Sequence, residues 1–209
     1  MSDQLYLSLW FPNFRLASLP EKLTAVLHQF GKVAGNNRVA VASTLPLDWH
    51  ESPVFQRIFV NDERSQENDD SIAGNAVAEA TEQLHDDMAY EFEAKWQLWQ
   101  PEAAAEGFDA TWRLAPSTVK VIGFGPEFDE GAYEQNGHIR VDFGLDTPWV
   151  QEDEDVDETG AERIKQNVEK LLAFVLSVEK NCGISSRLLW TESGEPLAEK
   201  LIARLQRLN

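Results

Sequence analysis

The sequence predicts an α+β fold, a mostly antiparallel sheet with helices packed on one face, and three observations predict it. Several segments alternate apolar and polar residues, most clearly Ala89–Trp99. Others repeat apolar residues every three to four positions, the longest over 161–180. The two kinds are interspersed along the chain, with proline, glycine and asparagine at the joins.

Residues 4–11 put Leu5, Leu7, Leu9 and Phe11 on one side and Tyr6, Ser8 and Trp10 on the other, the period of a strand that Pro12-Asn13 breaks. A helix is predicted over 20–30, with Leu23, Val26, Leu27 and Phe30 inward. Pro20 sits at the first helical position, where its missing N–H costs nothing, and Gly31 and Gly35-Asn36-Asn37 close the helix. A short strand over 38–43 ends at Pro46 or lies at an edge, since proline cannot donate to the ladder. A third strand over 54–60 is apolar on both faces. Residues 71–85 read as a helix packing through Ile72, Ala76, Ala80 and Leu84. In 89–99, Tyr90, Phe92, Ala94, Trp96 and Leu98 line one face, and Glu91, Glu93, Lys95 and Gln97 the other. The order over 4–99 is βαββαβ, which predicts a ferredoxin-like N-terminal half, residues 1–100.

The second half, 101–209, is expected to extend the first through one continuous sheet or core. A strand at 112–114, a bend at Pro116 and a strand at 119–124 lead through a hairpin to 137–144. There Ile139, Val141 and Phe143 alternate with His138, Arg140 and Asp142. The helix over 161–180 carries the stripe Ile164, Val168, Leu171, Leu172 and Val175, with Thr159 and Glu162 spaced as a capping box. A strand over 185–190 follows Gly183. Pro196 opens a last helix that turns Leu197, Leu201, Leu205 and Leu208 inward. Strand, acidic run, helix and Trp-ending strand occur at 54–99 and again at 137–190, a weak internal parallel.

Eighteen basic residues against thirty-six acidic ones give a net charge of −18. The acids are concentrated. Segments 61–70, 101–110, 126–135 and 151–160 carry net −4, −3, −4 and −6, leaving −1 for all other residues. Nucleic acids are bound through phosphate neutralisation by Lys and Arg, so this balance argues against them as partners. The longest apolar run, Leu171–Leu176, is far shorter than the ~20 residues of a membrane span. No basic residue precedes the short apolar stretch of the N-terminus, as a signal peptide would require, and the single cysteine, Cys182, suits a reducing, cytoplasmic setting.

Motif tests assign no catalytic residue, cofactor or metal. Asp153, Asp155 and Asp157 open like a calcium loop, but its sixth and twelfth positions hold Glu158 and Ile164 instead of Gly and Glu. Gly123-Phe124-Gly125 follows a strand, yet Pro126 intrudes and Phe128 replaces the third glycine of a dinucleotide fingerprint. Ser177 and Lys180 form S-x-x-K without the companion motifs. Whether the protein is an enzyme is left open. The residues singled out for a binding surface are Trp10, Trp49, Trp99 and Trp149, which fall out of phase or beside breakers, with Asp153, Asp155 and Asp157. The leading expectation is an intracellular protein-binding or regulatory module whose acidic loops meet a basic protein partner. The alternatives are an enzyme or small-ligand binder with a tryptophan-lined pocket between sheet and helices, and a homodimer formed through a sheet edge or face.

Overall fold

The structure, a computed structural model, describes residues 2–36, 38–59, 69–102, 111–150 and 158–194. Seven strands form one antiparallel sheet: β1 (Gln4–Trp10), β2 (Val39–Pro46), β3 (Phe55–Ile58), β4 (Met88–Pro101), β5 (Trp112–Phe124), β6 (Ile139–Leu145) and β7 (Ser186–Thr191). Their spatial order is β3-β2-β4-β5-β6-β1-β7. The helices described are α1 (Leu19–Ala34), α2 (Asp69–Ala80), the short α3 (Ala132–Asn136) and α4 (Glu158–Asn181). The helix expected after Pro196 lies outside the described residues.

Alternation along the strands builds the core. Leu5, Leu7 and Leu9 of β1, every second residue from Tyr90 to Leu98 of β4, Val119 and Val121 of β5 and Ile139, Val141 and Phe143 of β6 face α1, α2 and α4. Trp96, Phe143, Trp149 and Phe174 meet there edge to face or tilted, with ring centroids 5.9–6.4 Å apart. A second, smaller cluster sits on the other face of the sheet, where Ala89, Ile122 and Phe124 pack with Phe128 and Ala132.

The order strand-helix-strand-strand-helix-strand is present over the first half, but its sheet is not ferredoxin-like. That arrangement interleaves its strands, whereas here β1 pairs with β6 and β7 and is separated from β4 by two strands. The observed repeat unit is simpler. β3-α2-β4 is a crossover between parallel strands with β2 inserted between them, and β6-α4-β7 is the same with β1 inserted. β5 joins the two units, and the boundary expected at residue 100 falls near the end of β4.

Four local expectations change for physical reasons. α1 runs through Gly31 because Gly35, at φ +72°, supplies the left-handed residue that ends it. α2 stops at Ala80 because the Tyr90 hydroxyl claims the chain beyond: it accepts from the His85 N–H (2.9 Å) and donates to the Gln83 carbonyl (3.1 Å). β5 passes straight through Pro116, since β6 pairs only with Lys120–Gly123 and leaves no ladder bond for the proline to break. Thr159 lies inside α4, which begins at Glu158, so the expected capping box is not its start.

Candidate functional site

Strand direction decides where the acidic segments attach. With β1 running up, every neighbour alternates: β2 and β5 run up, and β3, β4, β6 and β7 run down. Phe59 after β3, Pro101 and Trp112 at the β4–β5 connection, and Leu145 at the end of β6 therefore lie at one end. These positions flank the segments of net −4, −3 and −6. Segment 126–135 joins β5 to β6 at the opposite end, and there it forms a 3-10 turn at Phe128–Gly131 followed by α3.

One hydrogen-bonded unit fixes this end. Asn167 of α4 is fully buried; its Oδ1 accepts the Trp99 N–H (3.0 Å), and its Nδ2 donates to the carbonyls of Trp99 (2.9 Å) and Pro148 (2.8 Å). Trp99 donates its indole N–H to Gln166 Oε1 (2.8 Å), and the Arg163 guanidinium lies 3.8 Å over the indole ring. At the first strand's start, Asp146 Oδ1 accepts the Asp3 N–H (2.9 Å). The Asp3 carboxylate accepts from the Ser193 N–H, and hydrogen bonds from the Ser193 side chain and then that N–H hold its pKa below the usual value.

The sheet face away from the long helices carries a second constellation. Arg140 of β6 stands among three rings, its guanidinium carbon 4.9 Å from the ring centroid of Tyr6, 5.2 Å from Trp49 and 5.4 Å from Phe124. Trp49 is set edge-on against Phe124 and Phe128. Trp190 of β7 packs on Tyr6 at 4.6 Å and donates its N–H to Ser8 Oγ (3.0 Å). Beside them Lys120 bridges Glu91 (3.0 Å) and Glu93 (3.6 Å). Burial raises the Tyr6 pKa, helped by Asp142, and works against the charge of Arg140.

The four tryptophans singled out from the sequence do not come together. Trp149 is fully enclosed in the core and donates its N–H to the Asn167 carbonyl (3.2 Å). Trp10 is half-buried at the far end of β1, where its carbonyl accepts from the Ser185 N–H and hydroxyl. Trp49 belongs to the Arg140 cluster, and Trp99 to the Asn167 unit. Asp153, Asp155 and Asp157 lie outside the described residues. Ser177 of the S-x-x-K pair donates to Gln29 (2.8 Å), tying α4 to α1. Sequence reasoning missed Arg140, Tyr6 and Trp190. The available signal was Ile122 and Phe124, two apolar residues on the outward side of β5 that mark this face as partly covered.

Among the described residues no helix is long and apolar enough to cross a membrane. No family model, no curated protein and no solved structure matches the chain.

Proposed function

We propose that the protein is a protein-binding module of a reducing, cytoplasmic compartment that docks a basic partner at the acidic end of its sheet. The observation that carries this reading is the convergence of strand ends flanking three segments of net −4, −3 and −6. Acids gathered at one pole raise the rate at which a basic surface is captured and orient it on arrival. Trp99 supplies an apolar contact at the same end, and its ring already accepts a cation from Arg163. The rival pocket between sheet and helices finds less support, because Phe30, Trp96, Phe143, Trp149 and Phe174 occupy that space.

The placement gives the test its control. A labelled oligo-arginine peptide is titrated into the wild type and two neutralised variants, followed by fluorescence anisotropy. Glu152→Gln with Asp153→Asn, Asp155→Asn and Asp157→Asn is expected to weaken binding about tenfold at low salt. Glu127→Gln with Glu130→Gln and Glu134→Gln, at the opposite end, is expected to change it by less than about twofold. Equal losses from both variants would show that net charge alone attracts the peptide, and the docking pole would be wrong.

A further inference from the structure

We propose that Arg140 and the rings around it form a binding site for a small carboxylate carrying a planar ring. This site is independent of the acidic pole, lies on the outer sheet face and takes a ligand of the opposite charge.

Three separate elements position the guanidinium: Tyr6 from β1, Trp49 from the turn after β2, and Phe124 from β5. Among the described residues, no atom accepts a hydrogen bond from Arg140, and its Nε is buried without a partner. An arginine carries five donors, and natural structures rarely leave such a group unanswered. The enclosed Nε pins the side chain, so the accessible donors are the two terminal nitrogens. Their parallel N–H bonds match the two oxygens of a carboxylate.

The nearby acids do not take up this charge. Asp142 accepts the Gly144 N–H (2.8 Å), and Glu91 is held by Lys120. They act on Arg140 through space, as Asp129 does more weakly, and so keep the affinity for an anion modest. Apolar surface adjoins the guanidinium. Arg140 pairs in register with Ser8, and Ser8 with Leu188, which is 51% exposed. The Tyr6–Trp190 ring pair is the next row down, so a ring attached to the bound carboxylate rests on Tyr6, Trp190 and Leu188.

The test is a titration of the folded protein with benzoate, acetate and inorganic phosphate, read from the tryptophan indole signals in proton–nitrogen NMR spectra. Benzoate is expected to shift the Trp49 and Trp190 signals saturably, with a dissociation constant on the order of 1 mM. Acetate and phosphate are expected to bind about tenfold more weakly. Arg140→Lys removes the fork and keeps a charge, so it is expected to weaken benzoate about tenfold. Leu188→Asp alters only an exposed position, so it tests the site even where an Arg140 substitution disturbs folding; it is expected to weaken benzoate as well. Non-saturating shifts, a response to phosphate equal to that to benzoate, or benzoate binding unchanged by Leu188→Asp each overturn the proposal. The four-residue neutralised variant of the acidic end should bind benzoate as the wild type does, which separates this inference from the docking pole.

Discussion

Trp96 and Trp149 stand 6.4 Å apart in one core, and their indole N–H groups are treated differently. Trp149 donates to the Asn167 carbonyl, while Trp96 Nε1 is buried with no partner. Replacing either by phenylalanine removes similar ring volume. Trp149→Phe also loses a hydrogen bond of about 1 kcal/mol, whereas Trp96→Phe relieves an unpaired donor whose burial costs about 1–3 kcal/mol. Trp149→Phe should therefore be the more destabilising by about 2–4 kcal/mol in urea unfolding. If Trp96→Phe proves the costlier, its N–H is satisfied in solution. Burial of Trp149 was not legible in the sequence. It follows Asp146-Thr147-Pro148, where no period applies, and the group that receives it, Asn167, is on a helix eighteen residues later.

At the scale of elements, the end of β1 is locked to the β5–β6 connection through His138. Its Nδ1 accepts the Phe11 N–H (3.0 Å), so the folded ring is neutral, and it stacks on Phe14 at 4.2 Å and packs against Tyr133 at 4.7 Å. Gly137 makes the approach feasible: at φ +87° it lies so close to Leu9 that a Cβ would meet backbone at 2.8 Å. Burial lowers the His138 pKa. The unfolded chain takes up this proton near the ordinary histidine value, about pH 6.5, and the folded protein only below it. Between the two the unfolded state binds more protons, so stability from His138 is complete above about pH 6.5 and is lost as pH falls toward the folded value. Urea midpoints of wild type and His138→Gln should converge as pH drops through that window; curves that stay parallel contradict it. Strands such as β4 were legible because Tyr90 to Leu98 alternate without interruption. The bend expected at Pro116 was not there, because a proline's cost depends on a neighbouring strand the local sequence does not name.

For the molecule as a whole, charge and sheet order are the governing features. On the proposed docking pole, the acid-rich segments repel one another at low salt, over a Debye length of ~30 Å at 0.01 M that shrinks to ~8 Å at 0.15 M. The unfolding midpoint should rise over that salt range. Glu152→Gln, Asp153→Asn, Glu154→Gln and Asp155→Asn together should raise it further at low salt and by progressively less as salt is added. A midpoint insensitive to both would mean the segments lie too far apart to interact. The concentration of acid was readable from composition along the chain, and which end of the sheet its flanking strands share follows from the strand directions. Sheet order was the least legible property, since pairing between Leu5 and Thr191 leaves no local trace. That pairing has a consequence in time. β1 precedes the other six strands in the chain, yet both its partners, β6 and β7, follow all the others. The block β2 to β5 consists of neighbouring hairpins and a short crossover, and it can assemble as it emerges. β1, with Leu5, Leu7 and Leu9 uncovered, must wait until β6 and β7 have been synthesised, and through that interval its apolar face is open to a chaperone.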